Sequence, residues 1–286
     1  EDANKKVNDG TALWCKEKKD IKKEEYETFY NQACLNYDKP WKIMHNKIEG
    51  TLSYTNLLFI PSEKPFDLLN SEKINNLKLY VKKVFITDNC DNVLPKYLRF
   101  VTGVIDSEDI SLNISREMLQ NDPVINKIKL SLVKRIITEL KKEVEKSKNS
   151  YIKFWEKFGS VLKEGIHEDY VNKDSLLEIS LFQTSKENNW SSLAEYVNRM
   201  QKGQDEIYYI SGEDKTVLMK SPQMETFLEK KIEVLFFTDP VDEFWLPNVS
   251  EYKNKKFKSI TKGKIDFKNI KQDKTSEDKT EKNNPS

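Results

Sequence analysis

Arginine is almost missing from this chain: of 48 Lys plus Arg, only Arg99, Arg116, Arg135 and Arg199 are arginine. Lysine serves wherever any positive charge will do, so each arginine marks a place where a planar fork of donors, matched to phosphate or carboxylate, matters. Glycine is scarce too. The eight glycines are scattered, which excludes a glycine-rich nucleotide cradle, and Ser211-Gly-Glu-Asp-Lys215 lacks the G-x-x-x-x-G-K-[ST] spacing of a phosphate loop. The two histidines, His45 and His167, lie far apart, and Cys15, Cys34 and Cys90 show no C-x-x-C spacing. No metal site and no disulfide framework is expected, and a reducing cytoplasmic compartment fits. No apolar run approaches the ~20 residues that span a bilayer, and the terminus Glu-Asp-Ala-Asn-Lys-Lys is the reverse of a signal peptide. The reading is a soluble chain with no membrane partner. Its first residue is Glu1 rather than Met, which reads as a fragment or a processed piece. The charge has no surplus of one sign, +1 net with 33% of residues charged, which argues against long-range steering toward nucleic acid.

What remains supports two medium domains rather than one large core, since 286 residues carry only 37% hydrophobic content. The expected class is α/β of mixed α+β type, with two α-β-α layered units joined by a short helical connector. Residues 1–10 read as linker, 11–140 as a large α/β unit, 141–171 as the connector and 172–262 as a small α/β unit. Residues 263–286, with only Ile265, Phe267 and Ile270 apolar, have too little to bury and read as a flexible tail.

Periodicity places the elements. Asp20 to Cys34 carries Ile21, Tyr26, Phe29, Tyr30 and Ala33 at helical spacing. Leu52–Ile60 and Leu77–Ile86 read as strands, the second by alternation. Between them Phe66, Leu68 and Leu69 form either an apolar patch for partners or a loop tucked against the sheet. After a short strand, Val101–Ile105, a long helix runs from Pro123 through Ile125, Ile128, Leu132, Ile136, Leu140 and Val144. A shorter helix through Phe154, Trp155 and Phe158 is expected to stop near Gly159 or Gly165, with a turn to Asp169. Ser192 and Glu195 form a capping box. Strand Glu206–Ile210, a helix opening at Ser221-Pro222 and strand Ile232–Phe237 make a βαβ rhythm, so a small parallel sheet is expected. Asp242-Glu-Phe-Trp-Leu246 sets Phe244 and Trp245 beside Asp242 and Glu243 at a helix start, the pattern of a protein-contact rim with one of the two rings in the core. Trp14, beside Leu13, is the first apolar anchor of the chain and reads as core.

Chemistry-grade residues crowd together in one stretch, Asp106-Ser-Glu-Asp-Ile-Ser-Leu-Asn-Ile-Ser-Arg-Glu-Met-Leu-Gln120. It reads as an exposed polar loop leading into a helix capped by Ser115. A cation in a first helical turn opposes the helix dipole, so Arg116 either faces an anionic partner or pairs with Asp106 or Glu108. Gln120 shares its helix face.

The runs Leu79-Tyr-Val-Lys-Lys-Val-Phe-Ile86, Pro95-Lys-Tyr-Leu-Arg-Phe100, Gly103-Val-Ile-Asp-Ser-Glu-Asp109 and Leu112-Asn-Ile-Ser-Arg-Glu-Met-Leu-Gln120 closely resemble the middle segment of the ninety-kilodalton heat-shock chaperones of the bacterial HtpG type. The likeness extends from about residue 10 to residue 262, with Ser111 standing where that family usually has Pro. The resemblance implies that Arg116, supported by Asn113 and Gln120, reaches the γ-phosphate of ATP, with ATP and Mg2+ held by a separate N-terminal nucleotide-binding domain. It implies client polypeptides as partners, with Trp14, Phe66, Glu243, Phe244 and Trp245 as candidate client-binding residues. It also implies a C-terminal dimerisation domain, a homodimer for the full-length protein and a monomer for this piece. The chain alone would then be no ATPase. The alternative from the residues themselves is a passive protein-interaction scaffold.

Overall fold

The computed structural model describes residues 11–35, 37–69, 77–88, 93–112, 119, 122–186 and 190–270. The chain divides into two compact units, Glu1–Ile179 and Ser180–Ser286. Both carry helices on a sheet, the mixed α/β class that the sequence leads one to expect.

In the first unit a five-stranded sheet has the order β1-β2-β5-β3-β4, formed by β1 (Pro40–Ile48), β2 (Tyr54–Pro61), β3 (Leu77–Val81), β4 (Val84–Thr87) and β5 (Thr102–Ser107). Neighbours are antiparallel except β3 and β5, which run parallel. Side chains alternate across a strand, and β2 shows the result. Leu57 and Phe59 point to the face covered by Trp14 and α1 (Lys23–Cys34). Tyr54 points to the other face, where its hydroxyl donates to Ser131 Oγ of α2 (Pro123–Lys146) at 2.7 Å. Central strand β5 is buried along its whole length.

Three sequence expectations need correction here. Leu77–Ile86 is a hairpin, not one strand, because Lys82 and Lys83 take φ of 49° and 68°, the two left-handed residues of a primed turn that normally calls for Asn or Gly. The second helix, α3 (Lys148–Glu168), passes through both Gly159 and Gly165 without stopping. These glycines make room: a Cβ at Gly159 would lie 2.6 Å from the Trp155 ring, and one at Gly165 would lie 2.8 Å from both Tyr97 and Leu176. Finally, residues 141–171 do not form a connector between units. Trp41 of β1 stacks on Phe154 at 4.5 Å, and Phe100 meets Phe154 and Phe158 at 5.6 and 5.0 Å. With α4 (Lys173–Ile179), these helices close the core of the first unit.

The second unit has a six-stranded sheet of order β10-β11-β8-β9-β6-β7, from β6 (Leu181–Thr184), β7 (Trp190–Ser192), β8 (Glu206–Ser211), β9 (Leu235–Phe237), β10 (Glu251–Tyr252) and β11 (Lys255–Ser259). Between β8 and β9 lie α6 (Lys215–Met219) and α7 (Pro222–Glu229), and the two strands are parallel as the βαβ rhythm requires. The sheet as a whole is mixed, since β6 pairs antiparallel with both β7 and β9. The capping box of α5 (Leu193–Arg199) is present, with Glu195 N donating to Ser192 Oγ and Ser192 N donating to Glu195 Oε2. Part of the expected tail is folded: Ile265, Phe267 and Ile270 pack against the core of Tyr208, Met224, Phe227 and Ile232. Gly203 permits this approach, because a Cβ there would stand 2.0 Å from the Asn269 carbonyl oxygen.

Candidate functional site

The frame of the candidate loop is set by the end of β5. Asp106, read from sequence as an exposed loop former, is instead only 6% exposed. Its Oδ2 accepts the indole N–H of Trp14 at 2.9 Å and its Oδ1 accepts the backbone N–H of Lys83 at 3.1 Å. One buried carboxylate thus joins the N-terminal turn, the lysine hairpin and the central strand, with charge-assisted bonds that are stronger than neutral ones. Ser107 is buried as well.

Directly beyond, the chain is clamped to the β1–β2 turn. Glu108 N donates to Ser53 O at 3.1 Å, and Asp109 Oδ2 accepts Ser53 N–H at 2.6 Å. Ile110 buries its side chain, while Leu112 is half exposed. At the far end Leu119 is buried, and the Asp122 carboxylate accepts Val124 N–H and Ile125 N–H at 2.7 and 3.1 Å, capping α2 ahead of Pro123. Both ends of the stretch are therefore fixed to rigid elements, the arrangement by which scaffolds present functional loops. Arg116, Asn113 and Gln120 themselves lie outside the described residues, as does the proposed cap Ser115.

The remaining candidates separate by burial. Trp14 is 7% exposed, packed 4.6 Å from Tyr80 and 5.9 Å edge-on to Phe29. Trp245 is fully buried among Phe182, Phe237 and Phe257, and its indole N–H donates to Asp242 Oδ1 at 2.8 Å. Both rings are core, which corrects their assignment as direct client contacts. Phe66, Glu243 and Phe244 are exposed. The Phe66 loop divides at Leu68, which is buried while Phe66 and Leu69 face solvent. Among the described residues no His, Cys, Asp and Glu cluster could hold a metal, and no helix is long and apolar enough to cross a membrane.

His45, which the sequence marks only as a poor metal ligand, sits within β1 and holds the Trp14 backbone. Its Nε2 lies 2.9 Å from the Trp14 carbonyl oxygen and its Nδ1 lies 2.8 Å from the Tyr26 hydroxyl. A carbonyl can only accept, so Nε2 carries the proton and the neutral Nδ1 accepts from Tyr26. Burial pushes the imidazole below its ordinary 6.5, more than the bond to Trp14 O pulls it up. A depressed folded value means that the unfolded chain takes up the proton first. The stability contributed by neutral His45 is thus complete above 6.5 and is lost as pH falls through the folded value. Urea midpoints measured at pH 7.5 and 5.5 should fall less with acidification in His45→Gln than in the parent; equal slopes would remove His45 from the acid response. The Cys15 thiol nearby is pushed up by burial and then by Asp106, and it remains protonated.

Comparison with known proteins points in one direction. A family model described as Hsp90 protein matches residues 1–285. The chain is 46% identical over 275 residues to the chaperone protein HtpG of Roseobacter denitrificans, covering 96% of this chain and 44% of that protein. It is 48% identical over 273 residues to HtpG of Paramagnetospirillum magneticum, with the same coverage of both. It thus spans less than half the length of these curated relatives. Among solved structures, the middle domain of a Plasmodium falciparum heat shock protein superposes with a TM-score of 0.78 at 29% identity, covering 87% of this chain and all of that one.

Proposed function

The chain belongs to the Hsp90 protein family and has the fold of its middle domain, and on that premise we propose that it is the part of an ATP-driven chaperone that completes an ATPase site carried by another domain. The observation that carries this reading is the stretch beyond β5, fixed to Ser53 on one side and to the Asp122 cap on the other, with Arg116 in its span. The sequence has no glycine-rich cradle of its own, so a phosphate for Arg116 has to come with an N-terminal nucleotide-binding domain of the same protein, which would hold ATP and Mg2+.

In this mechanism the Arg116 guanidinium donates to oxygens of the γ-phosphate as water attacks phosphorus and the bond to the leaving diphosphate breaks. Negative charge spreads over the transferring group at that point, and a fixed cation stabilises it more than it stabilises bound ATP. Asn113 and Gln120 orient the guanidinium. Client polypeptides are met by exposed apolar and acidic side chains, Phe66 in the first unit and Glu243 with Phe244 in the second. Trp245 packs in the core directly beside Glu243 and Phe244, and Trp14 packs in the core of the first unit. Dimerisation belongs to a C-terminal domain of the full-length protein.

The exposure of Phe66 and Phe244 suits a passive interaction scaffold equally well, so the test has to read hydrolysis. Titrating this chain into the isolated N-terminal nucleotide-binding domain of the same protein should raise its ATP turnover, and Arg116→Ala chain should raise it far less. No gain with the parental chain would leave the scaffold reading in place.

A further inference from the structure

Strand β1 is the edge of the first sheet, and an edge strand leaves alternate backbone N–H and C=O groups unpaired by the sheet. A cleft of ≈400 Å3 is lined by His45, Asn46 and Lys47 of this strand together with residues 14–19 and Arg135. Its walls carry Lys16, Lys18, Lys19, Lys47 and Arg135 against a single carboxylate, Glu17. Two of these cations are already engaged, Lys47 with Glu49 at 2.6 Å and Lys16 with Glu25 at 4.0 Å. Lys18, Lys19 and Arg135 have no carboxylate within ion-pair distance among the described residues.

Arg135 is the informative one. The other two arginines among the described residues are each forked onto an internal carboxylate, Arg99 on Glu164 and Arg199 on Glu233. Arg135 stands exposed on α2 and turned to the cleft, with Lys18 and Lys19 among the facing wall. Arg99 and Arg199 show the fork matched to a carboxylate, and Arg135, with none within reach among the described residues, is complementary to one supplied from outside.

We propose that this cleft docks an extended acidic peptide, its backbone lying along the open edge of β1 and its carboxylates reaching Arg135 on one side and Lys18 and Lys19 on the other. Peptides that add to a sheet edge take affinity from main-chain bonds and selectivity from side-chain contacts. A phosphate ligand fits less well, because the backbone N–H groups of Cys15, Lys16 and Asp20 that could cradle it are spent on the carbonyls of Ala12, Leu13 and Glu17. A nucleotide base finds no stacking face, since the Trp14 indole is enclosed by Phe29 and Tyr80. The proposal stands independently of Arg116 and of ATP hydrolysis.

The test is fluorescence anisotropy of a labelled ten-residue peptide of Glu and Asp, beside its Gln and Asn counterpart, titrated with this chain at low and at 0.15 M salt. The acidic peptide should bind, at least tenfold more tightly than the amide peptide. Arg135→Glu with Lys19→Glu should weaken it at least tenfold, and the neutral pair Arg135→Gln with Lys19→Gln by an intermediate factor. The exposed pair Lys220→Glu with Lys264→Glu in the second unit should change it less than twofold. Equal weakening by the cleft and control pairs would show diffuse attraction and overturn the docking site. So would failure of the acidic peptide to bind better than the amide peptide, or displacement by pyrophosphate at concentrations well below those of unlabelled acidic peptide. The neutral pair keeps the site testable should the double charge reversal fail to fold.

Discussion

Replacing Arg116 by alanine in the full-length protein is expected to slow ATP hydrolysis by roughly 10³ to 10⁵-fold, equivalent to about 4 to 7 kcal/mol of barrier, with nucleotide affinity nearly unchanged. The asymmetry is the content of the prediction. A residue that meets the phosphate only as charge develops lowers turnover when removed, whereas one that merely helps hold ATP would raise KM. Arg116→Lys separates charge from shape: it keeps the cation and loses the fork, so it should recover part of the loss and remain at least tenfold below the parent, an order-of-magnitude expectation from the difference between guanidinium and ammonium. Single-turnover hydrolysis and equilibrium nucleotide binding, measured on the same preparations, decide the matter. Parental turnover in the alanine variant would remove Arg116 from the mechanism, and an equal loss in binding would move it to the ground state.

The second large effect concerns folding and lies at Arg99. Its side chain is 2% exposed, and its guanidinium donates Nε–H to Leu68 O at 2.7 Å, Nη1–H to Lys96 O at 2.9 Å and Nη2–H to Glu164 Oε1 at 2.8 Å. One side chain thus ties the Phe66 loop, the turn before β5 and α3 together. Arg99→Ala takes the donor from Leu68 O, while Lys96 O keeps the backbone N–H of residue 99, and it leaves the Glu164 carboxylate, 29% exposed, beside Glu168, whose own carboxyl burial and Glu164 already push up. Breaking a buried pair from one side costs about 3–5 kcal/mol, a large share of an ordinary domain's ~5–15 kcal/mol. Urea unfolding of the alanine variant should show that loss, and Glu164→Gln, which keeps an acceptor for Arg99, a smaller one. A change below about 1 kcal/mol for Arg99→Ala would mean that the fork contributes no more than a surface ion pair.

Much of the fold could be read from the sequence where one local rule dominates. The α2 stripe from Ile125 to Leu140, its start at Pro123 and the Ser192–Glu195 box are cases in which spacing alone suffices. Failures occur where packing overrides local preference. Strand β1 shows no clean alternation, because an edge strand with Lys42 reaching Glu143 and His45 reaching Tyr26 has polar work on both faces. The Lys82–Lys83 turn carries no glycine or asparagine, since the Asp106 carboxylate and the Ser107 carbonyl accept its N–H groups and hold it from outside. Gly159 and Gly165 look like helix stops and are clearances for aromatic rings. The rarity of arginine was a true signal with two meanings: it marks forks on internal carboxylates at Arg99 and Arg199 as well as exposed ones. At the candidate site, the polar run 106–109 was visible, but nothing in its composition distinguishes the buried tie Asp106 from the surface clamp Asp109. That distinction depends on Trp14, Lys83 and Ser53, all far away along the chain.

The division at Ile179 and Ser180 has a calorimetric consequence. Each unit encloses its own apolar interior, so heat can melt one while the other persists, and the transition of the whole chain is not obliged to be all-or-none. A single melting temperature would then average two events. The Arg99 and His45 substitutions should displace only the endotherm that comes from residues before Ser180, which makes each of them a label for assigning the two peaks.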